Sequence, residues 1–273
     1  MNENIISGAL VLGCGYTGSV LVRKLQSAGI PTWGTTRTAE KANLLKEQGV
    51  NALVWNALDP LPAVAADTAF VLYPPGDMDP AEMTRHFSSA MRIVVCSSTS
   101  VYGDMQGDWV DEDTVCDPSS LRGKRRVAME QAFQQRQGCV VRPGGIYGPG
   151  RNIVTRHAAG RLFMAKDAAL DRWVNLIHVE DLADMLWAAA RFGEPAAIYN
   201  AVDGNPQPWR ALVDVAERMT GKPVRPAEDG SHSMRSFTRE SRRIRSDRAR
   251  QDLGFEFAHP DSVAALKTMS TDC

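Results

Sequence analysis

An α/β fold built on a doubly wound parallel sheet is what this 273-residue sequence predicts. Three observations carry the prediction. Short apolar runs recur along the chain with helical segments between them, the pattern of a sheet whose strands are joined by crossover helices. Several of those runs are continuous or β-branched rather than alternating, as strands covered on both faces are. And the first run leads directly into three glycines spaced G-x-G-x-x-G, which opens a helix.

The first unit spans residues 9–36. Ala9-Leu10-Val11-Leu12 is a strand-length apolar run, followed by Gly13, Gly15 and Gly18. Val20, Leu21, Val22 and Leu25 then recur at helical spacing, and Gly29 stands where a helix C-cap would. Gly13 allows the tight turn, Gly15 lets backbone approach a pyrophosphate, and Gly18 lets the helix pack on the sheet. The helix N-terminus, with Tyr16 and Thr17 in its first turn, offers free N–H groups and a partial positive charge to phosphate. The expected ligand is a dinucleotide. Further strands are expected at 30–34, 52–55, 69–73, 93–97, 139–142 and 198–201, with helices at 41–48 and 124–137 closed by Gly49 and Gly138. Ligands of such sheets bind beyond the carboxyl ends of the strands, so those ends hold the candidate residues.

After the second strand come Thr35-Thr36-Arg37-Thr38, with no acid before Glu40. An acid here would hold the ribose hydroxyl of NAD; an arginine with hydroxyl neighbours suits the 2′-phosphate of NADP. NADP is therefore expected, with NAD as the alternative. Asn56 after the third run is placed to meet an adenine edge or to make a plain Asn turn. Tyr73-Pro74-Pro75 after the fourth is a rigid turn on the cofactor's path.

Composition bounds the rest. A net charge of −1 argues against nucleic-acid binding, and 44% hydrophobic residues suffice for a sizeable core. The five cysteines show no metal-ligand or C-x-x-C spacing, so no metal site is expected and reduced thiols in a cytoplasmic protein fit best. No run approaches membrane-spanning length and the first residues lack signal-peptide character.

The fifth run ends in Cys96-Ser97-Ser98-Thr99-Ser100-Val101-Tyr102-Gly103, and the sixth in Arg142-Pro143-Gly144-Gly145-Ile146-Tyr147-Gly148-Pro149-Gly150-Arg151. Ile177-His178-Val179-Glu180-Asp181-Leu182-Ala183 and Tyr199-Asn200-Ala201 follow. In this order, with the glycine motif, the chain resembles the atypical and extended short-chain dehydrogenase/reductases, the NAD-dependent epimerase/dehydratase-like family. The resemblance runs from the glycine motif to Leu253-Gly254-Phe255. It implies a Rossmann-type sheet, a nicotinamide cofactor and a small-molecule substrate. It further implies that Ser98 orients a substrate carbonyl, that the Tyr147 loop passes the nicotinamide, and that Asp181 is structural. Tyr102, Tyr147 and His178 read first as packing residues, and His157 as a surface residue.

The chain departs from the family at its working pair, Tyr-x-x-x-Lys, whose i, i+4 spacing puts both residues on one helix face. Anchored on Glu130, the family's register places Arg122 at the Tyr position and Arg126 at the Lys position. The rival pair, Ser120 with Lys124, needs a two-residue slip, which rotates a helix by about 200°. Arginine stays protonated at working pH and cannot be a general acid. Arg126 can grip ribose or phosphate. Arg122 can stabilise an oxyanion or bind an acidic substrate. Tyr147, with an ordinary phenol pKa near ~10, is the first candidate proton donor.

The expected organisation is a dinucleotide-binding unit over 1–150, with 174–203 returning to it, and a small substrate lobe from 151–173 and 204–273. Arg151, Arg156 and Arg161 in that lobe, and Arg235, Arg239, Arg242, Arg243, Arg245, Arg248 and Arg250 later, suit phosphate or carboxylate recognition, or form a solvated face. Two functions are expected to compete. One is NADPH-dependent reduction of a small substrate, phosphorylated or carboxylated, through Ser98, Arg122 and Tyr147. The other is a catalytically silent NADP(H)-binding sensor.

Overall fold

The computed structural model describes residues 4–57, 59–164, 170–226 and 240–269. In chain order the first half contains β1 (Ala9–Leu12), α1 (Tyr16–Ser27), β2 (Thr32–Thr36), α2 (Ala39–Glu47), β3 (Asn51–Val54), β4 (Thr68–Val71), α3 (Pro80–Thr84) and β5 (Arg92–Cys96). A 3-10 turn (Thr99–Tyr102), β6 (Trp109–Val110), α4 (Leu121–Gln134), β7 (Cys139–Pro143), β8 (Gly145–Tyr147) and α5 (Ile153–Ala158) follow. The remainder is β9 (Phe163–Met164), β10 (Trp173–Val174), β11 (Leu176–His178), α6 (Val179–Phe192), β12 (Ile198–Ala201), β13 (Gln207–Pro208), α7 (Trp209–Thr220), β14 (Arg225–Pro226), β15 (Arg243–Ile244), α8 (Asp247–Leu253) and α9 (Ser262–Thr268).

Seven strands form one parallel sheet in the order β12-β7-β5-β4-β1-β2-β3. The order reverses between β1 and β4, the switch point where such sheets take ligands. The architecture is α/β and Rossmann-like, as the sequence predicts. Each of the seven expected runs is a strand of this sheet, with ends shifted by at most two residues. The central strands β1 and β4 are buried throughout, which explains their continuous apolar sequence: neither face meets water.

Two cores flank the sheet. One packs α1 and α6 through residues such as Leu21, Leu25, Leu182 and Leu186; the other packs α4 through Met129 and Phe133. A third core, with Tyr147, Val154, Leu162, Trp209, Leu212 and Leu266, joins α5, α7 and α9 beyond the sheet's carboxyl edge. The chain after residue 204 divides between cores: Leu266 belongs to the third, whereas Ala249, Leu253, Phe255 and Phe257 pack with α1 and α6.

Two local expectations are corrected. The left-handed residue after α4 is Gln137, with φ 59°, and not Gly138. His157 is buried: its ring nitrogens lie 2.8 Å from Thr220 Oγ1 and 3.3 Å from the Pro223 carbonyl, so it ties α5 to the end of α7.

Candidate functional site

The glycine turn is clipped to β2, where the Gly13 N–H donates to Thr35 Oγ1 and the Cys14 N–H to the Thr35 carbonyl. Gly13 has φ +102°, and a Cβ at Gly18 would lie 2.5 Å from the Gly13 carbonyl oxygen. Both positions therefore need glycine for the turn itself. Gly15 differs. Its φ is −83°, open to any residue, and a Cβ there would meet nothing within 4 Å. It caps α1 without a side-chain hydrogen bond, and the first turn carries no acid, so the free N–H groups keep their capacity for an anion. This cradle fits a dinucleotide pyrophosphate. Gly15→Val is accordingly expected to keep the parent's melting temperature within about 3 °C, roughly 1 kcal/mol for a chain of this size, while losing NADPH binding in a fluorescence titration. Gly18→Val should instead lower the melting temperature.

Along the same edge, Arg37 is exposed just past β2. Asn56 Nδ2 lies 3.4 Å from Asp59 Oδ2, and the Asp59 N–H donates to the Asn56 carbonyl, the geometry of a local turn. Tyr73 packs its ring on Trp55, with centroids 5.5 Å apart, and is followed by exposed Pro74. Tyr16 donates through its hydroxyl to the Pro149 carbonyl, and the Arg151 guanidinium lies 5.2 Å from the Tyr16 ring centroid. The loop after β8 is thus latched onto the glycine motif. Thr17 is buried beside it.

Beyond β5 and β7 lies a cavity of about 690 Å³. Ser98, Arg122, Arg126 and Tyr147 all line it. Ser98 caps the 3-10 turn, accepting from the Ser100 N–H at 3.2 Å. Helix α4 explains the arginines. Arg122, Arg126, Met129 and Phe133 share one helix face. The apolar pair covers the sheet, and the cationic pair emerges beyond its edge. Lys124 is exposed and Ser120 is occupied as the N-cap, accepting from the Gly123 N–H. Arg126 is 8% exposed, and its Nε and Nη1 have no partner. Burial pulls its guanidinium pKa down, against Cys96 and together with Arg122.

Behind this wall, Glu130 and Arg142 form a buried ion pair at 2.7 Å, and Arg142 also donates to the Tyr102 hydroxyl at 3.0 Å. Burial works against the Arg142 charge, but the hydrogen-bonded Glu130 carboxylate outweighs it and raises the pKa. Tyr102 and Glu130 are framework. Tyr147 does not keep an ordinary phenol pKa: burial, then Asp203, Asp181 and Asp261, push it up. Its hydroxyl has no partner among the described residues. His178 stacks on His259 at 3.7 Å, and Asp181 accepts from the Ala258 and His259 N–H groups, a structural arrangement.

Asp203 is 2% exposed, and burial raises its carboxyl from 3.8 to about 6. Protonation therefore favours the folded state. The contribution is complete below about pH 4 and is lost as pH rises through about 6, worth roughly 2–3 kcal/mol. Asp203→Asn should flatten the decline in melting temperature between pH 5 and pH 7.

The later arginines divide. Arg243 lies 5.2 Å from the ring centroids of both Trp109 and Trp173, Arg250 lies 5.4 Å from that of Phe257, and Arg248 pairs with Asp113 at 2.7 Å. Only Arg242 of this described group lines the cavity, paired with Glu240 at 2.8 Å. Arg235 and Arg239 lie outside the described residues. Arg151 and Arg156 also line the cavity. The sequence reading missed Ser97, whose buried hydroxyl has no partner, and the apolar wall of Ile153, Leu162, Trp209, Leu212 and Leu266.

Comparison with known proteins places the fold. Residues 81–201 match the model of the NAD dependent epimerase/dehydratase family. The chain is 26% identical to protein YeeZ of Escherichia coli (strain K12), over 93% of this chain and 96% of that protein. It is also 26% identical to 2'-dehydrokanamycin reductase of Streptomyces kanamyceticus, over 78% of this chain and 66% of the relative. Among solved structures, a functionally unknown conserved protein from Silicibacter pomeroyi DSS superposes with TM-score 0.83 at 30% identity, covering 96% of this chain and 98% of that one. The human epimerase family protein SDR39U1 (isoform2), solved with NADPH, shares the fold with TM-score 0.74 at 16% identity, covering 97% and 99%. The chain belongs to the NAD-dependent epimerase/dehydratase-like family, as an atypical member of the short-chain dehydrogenase/reductase kind.

Proposed function

We propose that this protein is an NADPH-dependent reductase of a small anionic carbonyl or imine substrate. The observation that carries the reading is the convergence of Ser98 and the Arg122/Arg126 face of α4 on one cavity at the carboxyl edge of the sheet. A reductase among the relatives supports it. In this reading 1–150 with 174–203 hold the cofactor, and 151–173 with 204–273 shape the substrate lobe.

Gly13, Gly15, Tyr16, Thr17 and Gly18 would cradle the pyrophosphate, with Arg37 at the 2′-phosphate and Asn56, Tyr73 and Pro74 along the adenine side. Arg126 would hold the ribose end. A reduced nicotinamide supplies hydride when bound. Ser98 donates a hydrogen bond to the substrate oxygen, and Arg122 stabilises the charge that develops there. Such preorganised donors are worth several kcal/mol without proton transfer. Tyr147, kept neutral by its surroundings, contributes an O–H and is a weaker acid than ordinary tyrosine. The proton comes from water.

The exposed Arg37 makes NADPH the expected partner, bound at least about tenfold tighter than NADH, roughly 1.4 kcal/mol. Arg37→Asp should reverse the order in calorimetry, and equal wild-type affinities would refute the assignment. NADPH oxidation against a panel of anionic carbonyl and imine compounds tests the reaction. Turnover of one class is expected. The arginine pair also favours a second reading, a silent NADP(H) sensor, and tight NADPH binding with no compound reduced would establish that one instead.

A further inference from the structure

We infer that the ligand of this cavity carries one anionic head, carboxylate or phosphate, on an apolar body; this rests on the reductase reading above and names its substrate class. The lining of the cavity is of two kinds. Four arginines line it, Arg122 and Arg126 on α4, Arg151 just before α5 and Arg156 on it, and among the described residues none of the four is paired to a carboxylate. Glu240 lines the cavity but is held by Arg242. Arg122 and Arg126 are like charges one helical turn apart, an arrangement that is unfavourable by itself. Arg126 also lines the cavity, is more than nine-tenths buried, and keeps two guanidinium nitrogens unpartnered and shielded from solvent. A buried charge without a counter-ion is costly. With Arg126 given to the cofactor's ribose end, Arg122, Arg151 and Arg156 remain on the lining for a carboxylate or a phosphate, which accepts paired N–H bonds from a guanidinium.

Apolar side chains line it as well: Leu162, Trp209, Leu212 and Leu266 are buried, and Ile153 is half-buried. The two amide side chains on the lining are already occupied. Asn152 donates to the Gly148 carbonyl and accepts from the Thr155 N–H; Asn175 donates to the Arg242 carbonyl and accepts from the Ile244 N–H. They are not available to a ring of hydroxyl groups. An apolar body packs on the apolar side chains, whereas hydroxyl groups set against them would lose their water without gaining partners there.

Calorimetry of the full-length protein, with and without NADP⁺, tests this with four probes: phenylpyruvate, its methyl ester, pyruvate and phenyl phosphate. Phenylpyruvate is expected to bind at least tenfold tighter than the ester, which lacks the charge, and than pyruvate, which lacks the body. Arg122→Gln should remove most of the first difference and Ile153→Ser most of the second; both positions are solvent-accessible enough for the variants to fold. Phenyl phosphate binding tighter than phenylpyruvate assigns the head to a phosphate and upholds the class. Equal affinities for acid and ester overturn the anionic head, equal affinities for phenylpyruvate and pyruvate overturn the apolar body, and binding of none of the probes overturns both. These outcomes are separate from turnover. A tight acid complex with no NADPH oxidation defeats the reductase reading alone.

Discussion

Glu130→Ala is expected to cost roughly 3–5 kcal/mol of stability, because it leaves the Arg142 guanidinium buried with no counter-charge. Glu130 is 2% and Arg142 is 4% exposed. Three Arg142-to-Glu130 hydrogen bonds, at 3.2, 3.2 and 2.7 Å, disappear together. Water cannot replace them at this depth without opening the contact of α4 with β7. At about 2–4 °C per kcal/mol for a chain of this size, the melting temperature should fall by around 10 °C in a thermal scan. The attraction itself is not what the fold depends on. Replacing both partners, as in Glu130→Met with Arg142→Leu, removes two desolvated charges at once and should recover much of the loss. A single variant that melts like the parent would show that Arg142 finds another partner or reaches solvent.

That same pair shows how far the sequence can be read. Glu130 is legible as the anchor of a family register, and the register puts Arg122 and Arg126 on the face that the structure turns toward the cavity. The glycine turn is legible because its spacing serves backbone geometry: Gly13 and Gly18 answer to φ and to a carbonyl at 2.5 Å. The strands are legible because burial on both faces leaves them continuously apolar.

What was not legible lies where residues far apart in sequence meet. Trp209 and Leu212 sit on α7 like the inner face of any amphipathic helix, and only the fold shows that they border a cavity with α4. His157, isolated in sequence, is drawn inward by Thr220 and the Pro223 carbonyl across α7. Arg243 and Arg248 read as anion ligands or as a solvated face, yet tryptophan faces and Asp113 take them. Tyr147 reads as an ordinary phenol, but burial, and then Asp203, Asp181 and Asp261 from more than thirty positions away, weaken it as an acid.

Ser98→Ala and Arg122→Ala should each lower turnover by about 10²–10³-fold, the range found when a preorganised donor to a developing oxyanion is removed, while NADPH affinity stays within about twofold. The asymmetry follows from position. Ser98 follows β5 and holds its place through the Ser100 N–H, so its hydroxyl proton remains free for a substrate oxygen. Arg122 is exposed to the cavity with no ion pair among the described residues, so its removal leaves no orphan behind and the fold should be unaffected. Arg126→Ala should behave in the opposite way. Its guanidinium is buried and would hold the cofactor's ribose end, so NADPH should dissociate about tenfold more readily, roughly the 1.4 kcal/mol of one charged hydrogen bond. Tyr147→Phe should lower turnover less than either Ser98→Ala or Arg122→Ala, since a phenol with a raised pKa adds a hydrogen bond and not the proton. Steady-state turnover measured beside direct NADPH titration separates the four variants. Arg122→Ala with parental turnover would make that arginine a solvated helix residue and end the mechanism proposed for it.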